Sequence, residues 1–215
     1  MDIILRTEQS CDYRETEEVT REAFWNYHSP GCDEHYLIHI MRGCAAFLPE
    51  LDIVAVCGGK IVGNVVCLKS LILTDTGNEC EVLSLGPISV LPEFQGRGIG
   101  SRLIAHTQNL ARKMGYRAIL LYGDPNYYTR HGFVAAETLG IRTSDNMYAV
   151  PLHVCELYEN ALLDMRGRYF EDDIYNVDAV AAEAFDKLFP PKEKIKGTPS
   201  QSRFDELVAL RKTAQ

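Results

Sequence analysis

A glycine-rich hexapeptide, Gln95-Gly96-Arg97-Gly98-Ile99-Gly100, lies between an apolar strand-like run and a helix-like run. Because glycine permits positive φ and close backbone approach, successive N–H groups in such a turn can converge on an anion. The helix that begins there adds the positive end of its macrodipole. The segment therefore predicts a pyrophosphate cradle, whose expected binding residues are Gln95, Gly96, Arg97, Gly98, Ile99, Gly100 and Ser101.

Two common phosphate-binding motifs fit this segment poorly. A P-loop requires Gly-Lys followed by Ser or Thr, and the chain contains no such triplet. A dinucleotide-binding fingerprint requires a third glycine where Ser101 stands, and an acidic residue at the end of the next strand, whereas Asp124 lies too far along. A glycine turn that serves only packing is the alternative that needs no ligand.

The spacing of the hexapeptide instead resembles Q/R-x-x-G-x-G/A, the acyl-CoA signature of the GNAT superfamily of N-acetyltransferases. The similarity extends over residues 85–100, which resemble the whole strand-to-helix motif of that family. Residues 123–133, Gly-Asp-Pro-Asn-Tyr-Tyr-Thr-Arg-His-Gly-Phe, resemble its second signature, Y-x-x-x-G-F. The Gly-Asp-Pro-x-Tyr-Tyr form looks like a little-characterised bacterial branch of the family. In element order the resemblance covers roughly residues 1–155.

The resemblance implies an α/β (α+β) fold with a mixed, splayed central β-sheet flanked by helices, in which pantetheine lies between two diverging strands. Gly86-Pro87 independently interrupts a strand-like run, and proline removes a ladder donor, so a bulge is expected there. Ile88, Ser89 and Val90 are then expected to offer backbone groups to pantetheine. In the family, a backbone N–H of this segment polarises the thioester carbonyl, as an oxyanion-hole donor does. The resemblance implies that Ile88 or Ser89 supplies this N–H here.

Acyl transfer from a thioester to an amine requires that the ammonium lose a proton and that the departing thiolate gain one. Tyr128 stands where the family places a general-acid tyrosine, and Asn126 beside it is a further expected cofactor-binding residue. A phenol of pKa about 10 can protonate a thiolate of pKa about 8–9 when it is preorganised beside the sulfur. Tyr128 could instead serve packing or a cofactor hydrogen bond, and Tyr127 is the second candidate acid.

The general base is less constrained by the sequence. Glu81, on the strand that leads into the glycine motif, lies in the region where some relatives place a carboxylate, and it is the expected base. A solvated position on that strand is the competing interpretation of Glu81. Glu50, Asp52 and a chain of water molecules are the alternatives.

Cysteine and histidine residues give no clear metal site. Cys32, His35 and His39 follow helical spacing, but no fourth ligand is apparent, so we expect no metal. The 7 cysteines form no CxxC pair in a chain without a signal-like start, which predicts reduced, mostly buried thiols.

Hydrophobic periodicity predicts the elements that position these residues. The expected strands cover residues 3–7, 51–57, 60–73, 80–90, 118–122, 133–135 and 147–154. The expected helices cover residues 13–27, 33–42, 101–114 and 126–131. Gly58-Gly59 between two apolar runs predicts a hairpin. Residues 1–155 are expected to form the main domain, and residues 156–215 a docked C-terminal extension with helices at 177–189 and 201–211.

The composition bounds the classes of function. The chain has 215 residues, of which 46% are hydrophobic, and this suits one sizeable core. A formal charge of −8 argues against general nucleic-acid binding. No apolar run approaches the roughly 20 residues that cross a bilayer, and a secretory signal is not evident, so a cytoplasmic protein is expected. Five basic residues and no acidic one occur between positions 95 and 122, which suits a small polyanion; they are Arg97, Arg102, Arg112, Lys113 and Arg117.

The sequence therefore predicts an N-acetyltransferase that moves an acetyl group from acetyl-CoA to a primary amine by direct attack in a ternary complex. The expected partners are acetyl-CoA and a small-molecule or peptide amine, without nucleic acid or membrane, for a monomer or homodimer. A non-catalytic acyl-CoA-binding module and a regulatory protein for another nucleotide are the alternatives. By family resemblance residues 14–42 and 139–146 would select the acceptor, and Trp25, Tyr27 and Tyr36 there would line either an aromatic cleft or the core.

Overall fold

The computed structural model describes residues 2–214 as a curved mixed sheet with helices on both faces. The strands are β1 Ile4–Thr7, β2 Ile53–Cys57, β3 Lys60–Thr74, β4 Glu79–Val90, β5 Ala118–Tyr122, β6 Val134–Ala135, β7 Ile141–Arg142, β8 Met147–Ala149, β9 Leu152–Glu156, β10 Gly167–Phe170 and β11 Arg211–Thr213. The α-helices are α1 Tyr13–Phe24, α2 Glu34–Met41, α3 Ile99–Lys113, α4 Pro125–Tyr128, α5 Ala179–Asp186 and α6 Pro199–Ala209.

The main sheet has the strand order β1-β2-β3-β4-β5-β9-β6, and β4–β5 is its parallel pair along that path. These two strands pair only at Leu83–Ile119 and Ser84–Leu120. Beyond Ser84, β4 continues to Val90 with no strand on its β5 side among the described residues. The expected mixed, splayed sheet is therefore confirmed.

A bulge in β4 lies at the start of the splayed part. Val65 of β3 faces Ile88, and Cys67 faces Leu85, so one residue of β3 is opposed by Gly86 and Pro87. Proline has no N–H to give to the ladder, which is the physical reason for the irregularity. The predicted bulge is confirmed.

Helix α3 packs one apolar face on the sheet, as its period of 3.6 predicts. Four of its buried side chains join those of β2–β5 in the largest core cluster; they are Ile99, Leu103, Ile104 and Ala111. The helix begins after Gly98, whose φ of 78° lies in the left-handed region that glycine adopts readily. Core packing on the sheet thus holds the start of α3 beside the end of β4.

Three parts of the fold differ from the sequence-based expectation. The strand expected at 147–154 is two strands, β8 and β9, because Pro151 separates them and they pair with different partners. Strands β7, β10 and β11 were not predicted, since two to four residues carry too little periodicity to stand out. The range 156–215, expected as a helical extension, therefore also supplies strands, and β10 pairs with β3 in the main sheet.

Polar contacts fasten the C-terminal helices to the rest of the fold. The buried Arg21 of α1 pairs with Asp186 of α5, with 2.6 Å between Nε and Oδ1. Arg203 of α6 pairs with Asp124, with 2.9 Å between Nε and Oδ2. Within residues 2–214 no helix is both long and apolar enough to cross a bilayer.

Asp186→Ala should lower the free energy of unfolding by about 3 kcal/mol, because it leaves the Arg21 guanidinium buried without its carboxylate. The matched control is Glu18→Ala, which removes an exposed i,i+4 partner of Arg14 and should cost under about 0.5 kcal/mol. Urea unfolding measures both values. Equal costs for the two variants would contradict the buried pair.

Candidate active site

The splayed edge of β4 offers unpaired backbone groups. Leu91 N donates to Val62 O at 2.9 Å, and Ser89 faces Asn64 two residues earlier in the same register. Antiparallel ladders alternate, so residues 89 and 91 direct their N–H and C=O groups toward β3. Ile88 and Val90 then direct theirs toward the open side, where β5 has diverged. This edge can accept a ligand that carries amides.

Ser89 does not fit its expected role as an oxyanion donor. Its backbone belongs to the ladder with Asn64, and its buried hydroxyl is hydrogen-bonded to Asn64 Oδ1 and lies 3.3 Å from Thr20 Oγ1. The expectation is corrected in favour of Ile88, the alternative donor. The Val90 carbonyl on the same edge accepts from Gln95 Nε2 at 3.0 Å, which braces the loop that follows.

The glycine loop leaves a row of N–H groups at the start of α3. Gly96 and Gly98 have φ of 71° and 78°, and open space surrounds their Cα hydrogens. The first ladder bond of the helix runs from Arg102 N to Gly98 O at 3.0 Å, so the N–H groups of residues 99–101 have no helical partner. Because the Ile99 side chain is buried in the core, that residue can contribute only its N–H. The geometry is that of an anion site.

Two members of the expected cradle, Arg97 and Ser101, carry polar side chains. The Arg97 guanidinium lies 5.5 Å from the centroid of the Phe94 ring, beside the loop. Ser101 is half-buried in the first turn of α3. Together with the N–H groups, Arg97 makes this end of α3 attractive to a polyanion.

Tyr127 lies against the same helix end. A Cβ at Gly100 would overlap the Tyr127 hydroxyl, so only glycine allows this approach. The Tyr127 ring also meets those of Tyr128 and His131, each with centroids 5.0 Å apart. Tyr127 therefore closes one side of the glycine loop, a role that its position in the sequence did not show.

Tyr128 combines a fixed ring with an uncommitted hydroxyl. The ring packs so closely on Gly123 that a Cβ at that position would overlap it. The ring also packs edge-on against Phe133, with 5.7 Å between the two centroids. Among residues 2–214 the hydroxyl has no hydrogen-bond partner. Burial raises the pKa of Tyr128 above its ordinary value, so the phenol keeps its proton at neutral and mildly alkaline pH. Such a phenol can act as a proton donor.

Asn126 is exposed at the start of α4, where its N–H donates to Asp124 Oδ1 at 2.8 Å. The Asp124 carboxylate caps the helix and also pairs with Arg203, which lowers the pKa of that carboxyl. The exposed Asn126 amide faces solvent and is accessible to a ligand. Asp124 is thus committed to holding α4 in place.

His153 is a neighbour that sequence reasoning missed. Its fully buried ring lies 6.5 Å from that of Tyr128, and Nδ1 is 2.8 Å from the Pro151 carbonyl. Burial lowers the pKa of His153, so the ring is neutral at pH 7 and carries its hydrogen on Nδ1 toward that carbonyl. The pairing of β9 with β5 brings it here, and nothing local in the sequence indicates that pairing.

The structure does not bring Glu81 together with Tyr128. Glu81 is 59% exposed at the start of β4, with its carboxylate 3.9 Å from Lys69 Nζ. The β4–β5 register sets Leu83 opposite Ile119, so Glu81 is level with the beginning of β5, whereas Tyr128 follows the end of β5. Several residues of strand at about 3.3 Å each separate them. This corrects the expectation that Glu81 is the general base.

The other two carboxylates considered from the sequence lie just before β2. Glu50 is exposed in the 3₁₀ turn Pro49–Leu51. Asp52 is buried beside Glu8 and Arg42, and burial raises the pKa of its carboxyl. Both belong to the region before β2, and the Asp52 carboxyl is committed to its contacts with Glu8 and Arg42.

The Cys32, His35 and His39 side chains do not converge. Cys32 Sγ lies 3.4 Å from His35 Nδ1, but His39 Nδ1 is 2.9 Å from a carboxylate oxygen of Glu17. Over residues 2–214, no three His, Cys, Asp or Glu side chains are arranged to hold a metal ion. The cysteines of the described chain are free thiols, as expected.

Of the three aromatic residues considered for an acceptor cleft, Tyr27 is the one that is open. It is 52% exposed and lies edge-on to His28, whose ring in turn packs on Phe204 of α6 at 4.6 Å. Trp25 donates from Nε1 to the carbonyl of residue 193 at 2.8 Å, and Tyr36 packs on the Phe185 ring at 5.4 Å. Those two side chains hold the C-terminal segment.

Comparisons with known proteins agree with this geometry. Residues 49–135 match the family model described as the acetyltransferase (GNAT) domain. The chain is 34% identical over 85 residues to the uncharacterized N-acetyltransferase YjhQ of Escherichia coli, which is 40% of this chain and 46% of that protein. It is also 28% identical to the uncharacterized N-acetyltransferase YhbS of E. coli over 60 residues. That segment is 28% of this chain and 36% of YhbS. The matched segments thus span less than half of each curated relative.

Solved structures match over a larger part of the chain. The E. coli YhbS structure in complex with CoA superposes with a TM-score of 0.71 at 22% identity, over 81% of this chain and 92% of that one. A GNAT family acetyltransferase from Brucella melitensis in complex with acetyl-CoA superposes with a TM-score of 0.65 at 28% identity, over 81% and 98%. These matches confirm the fold.

Gly100→Ala places a methyl group where the Tyr127 hydroxyl lies and should lower the unfolding free energy by about 1–3 kcal/mol. In a Tyr127→Phe background the nearest remaining ring atom is 3.6 Å from the new Cβ. The same change should there be neutral or stabilising by up to about 1 kcal/mol, because alanine favours helix over glycine. Urea unfolding of the four proteins measures this coupling, and an equal cost in both backgrounds would contradict the contact.

Proposed function

We propose that this protein is an N-acetyltransferase of the GNAT family that uses acetyl-CoA as its acyl donor and a primary amine as acceptor. One observation carries the proposal: the open edge at Ile88 and Val90 leads directly to the N–H groups at the start of α3, and Tyr128, whose hydroxyl is unpaired, packs on the Tyr127 ring that approaches this helix end. The family match over residues 49–135 and the N-acetyltransferase relatives support it. So do the CoA and acetyl-CoA bound to the two similar structures.

The proposed cofactor contacts follow the chemistry of the donor. The pyrophosphate lies on the N–H groups of residues 97–101, where the loop and the helix dipole favour negative charge. Pantetheine extends along β4 and exchanges amide hydrogen bonds with Ile88 and Val90, as an added strand would. Both groups of contacts use backbone, so they depend on the fold more than on side-chain identity.

The reaction needs no covalent enzyme intermediate. The amine nitrogen attacks the thioester carbonyl carbon, and the N–H of Ile88 stabilises the negative charge that develops on the oxygen. Collapse of the tetrahedral species breaks the carbon–sulfur bond, and Tyr128 donates its proton to the departing thiolate. The attacking nitrogen, which carries a positive charge after the bond forms, loses one proton to solvent, and the Tyr128 phenolate recovers one from solvent. Products are the acetylated amine and CoA.

A non-catalytic acyl-CoA-binding module is the rival function, and the uncommitted Tyr128 hydroxyl argues against it. A module that only binds has no use for a half-buried phenol that keeps its proton and has no hydrogen-bond partner in the described chain. The two functions differ in whether loss of that hydroxyl changes turnover.

Acetyl-CoA should raise the Tm of the protein, because ligand at about 100 times its Kd adds about 2.7 kcal/mol to the unfolding free energy. Gly98→Asp should abolish this shift, since a carboxylate would enter the pyrophosphate space. Gly77→Asp is the matched control: φ there is 85°, the surrounding space is also open, and the turn precedes the start of β4, at the opposite end of that strand from the glycine loop. A thermal shift in Gly98→Asp equal to that of the control would contradict the cradle.

Tyr128→Phe should lower kcat by roughly 10²–10⁴-fold while the acetyl-CoA-induced Tm shift stays at its wild-type size. The ring and its packing on Gly123 and Phe133 survive, and only the proton donor is lost. Steady-state kinetics with free-thiol detection measure kcat and KM separately. A raised KM for acetyl-CoA with unchanged kcat would instead assign Tyr128 a ground-state hydrogen bond to the cofactor.

A further inference from the structure

The two faces of the splayed sheet carry different chemistry. Alternate residues of β5 face opposite sides: Leu121 joins the core cluster under α3, and Leu120 joins the cluster that contains Tyr169 of β10. Tyr128 packs against the α3 side. Tyr122, two residues after Leu120, lies on the β10 side and is 42% exposed. A reaction at the splay therefore has Tyr128 on one face and the β10 region on the other.

Tyr175 marks the splay on the β10 face. Its hydroxyl donates to Gly86 O at 3.0 Å, and the buried Ser84 hydroxyl therefore donates to it, also at 3.0 Å. Ser84 is the last residue of β4 that pairs with β5, so Tyr175 is fixed at the point where the strands diverge. The 3₁₀ turn Asp173–Tyr175 that carries it follows β10 directly.

Glu171 lies in this corner. It follows Phe170, the last residue of β10, and its half-buried carboxyl is adjacent to the Tyr169 phenol. Two residues earlier, the Tyr169 ring lies 6.3 Å from the ring of Tyr122 at the end of β5, and four residues later Tyr175 is hydrogen-bonded to Gly86 at the splay. The chain at Glu171 therefore runs between the end of β5 and the splay, and its carboxylate acts electrostatically on Tyr122 and Tyr175. The Tyr169 hydroxyl is buried and has no well-aligned hydrogen-bond partner among residues 2–214. This hydroxyl can therefore still form a hydrogen bond.

The environment of Glu171 suits proton transfer near neutral pH. Burial raises the pKa of its carboxyl to about 7, and the Tyr169 phenol opposes that rise. The other titratable groups facing this corner are Tyr122 on β5 and Tyr175, with Arg211 and Asp145 beyond Tyr122 and Asp172 near Tyr175. No cation is paired with Glu171 in the described part of the chain, so the carboxyl is free to exchange a proton.

Neighbouring carboxylates are already committed. Asp172 Oδ1 accepts from Ile174 N at 2.9 Å and caps the 3₁₀ turn. Asp145 pairs with Arg211, and Asp124 pairs with Arg203. Glu171 is therefore the carboxyl in this region that is available to accept a proton from a bound amine.

We propose that Glu171 is the general base of the acetyl transfer and takes the proton from a primary amine with an apolar, aromatic body bound beside Tyr122 on the β10 face. The inference rests on the proposed function. The ammonium of the bound amine gives one proton to a Glu171 carboxylate oxygen, and the freed lone pair forms the bond to the thioester carbon. Tyr128 on the opposite face protonates the thiolate, the positively charged nitrogen loses its second proton to solvent as the amide forms, and Glu171 returns its proton to solvent. Base and acid thus stand on the two sides that attack and departure require.

The test measures thiol release from acetyl-CoA with two aromatic primary amines, benzylamine and aniline. Benzylamine is an ammonium ion at neutral pH and needs a base, whereas aniline is already neutral. Glu171→Gln should lower kcat/KM for benzylamine by roughly 10²-fold or more at about pH 7.5, and far less for aniline. In the wild-type protein, kcat/KM for benzylamine should rise with pH through about 7, because the carboxyl must be ionised. In Glu171→Gln that rise should move to the pKa of the amine itself.

The control is Glu79→Gln, an exposed glutamate at the start of β4, which should keep wild-type rates with both amines. The acetyl-CoA-induced Tm shift should be the same in all three proteins. Equal losses with both amines at every pH would show a structural role and overturn the proposal, as would loss of the benzylamine reaction in Glu81→Gln but not in Glu171→Gln.

The proposed function and the base assignment fail differently. Wild-type protein that acetyl-CoA does not stabilise, and that releases no thiol, would overturn the proposed function. Wild-type protein that binds acetyl-CoA but acetylates neither amine would overturn the acceptor site beside Tyr122 and leave the acyl-CoA site standing.

Discussion

The constraint on which the site depends is the brevity of the ladder between β4 and β5, which is confined to Leu83–Ile119 and Ser84–Leu120. Backbone N–H and C=O groups require hydrogen-bond partners. A strand that loses its neighbour within a sheet therefore presents a row of unpaired N–H and C=O groups. The bulge at Gly86-Pro87 reorients β4 at that point, and the strand then delivers the chain to the glycine loop and α3. A ligand that is amide-bearing at one end and anionic at the other matches this edge.

Close approaches at glycine fix the two tyrosines with respect to that edge. Tyr127 rests on Gly100 in the first turn of α3, and Tyr128 rests on Gly123 at the end of β5. Since α3 and β5 belong to one packed core, the distance between the anion site and the Tyr128 phenol is set by core packing and not by a flexible loop. Asp124, which caps α4, secures the same arrangement from the side of α6.

The C-terminal part of the chain completes the face of the sheet that the first 155 residues leave open. Strand β10 adds to β3, and Tyr175 is hydrogen-bonded to Gly86 at the splay. Farther along, α5 and α6 pack on α1, α2 and α4 through Asp186 and Arg203. The proposed acceptor site is therefore tied to a segment distant in sequence from the proposed acyl-CoA motifs. The proposed base, Glu171, belongs to that segment.

The sequence by itself determined the long elements and the fold class and singled out the glycine loop and Tyr128 as candidates, because each depends on periodicity or on a motif whose residues are contiguous. It misplaced Glu81 and Ser89 and missed His153, because those assignments depend on strand register: a shift of one residue reverses a side chain, and a shift along the ladder moves it to the other end of the sheet. It also missed β10 and with it Glu171. A four-residue strand has no periodic signature. Strand β10 is the tenth in the chain, and its pairing with the distant β3 decides where the Glu171 carboxyl lies.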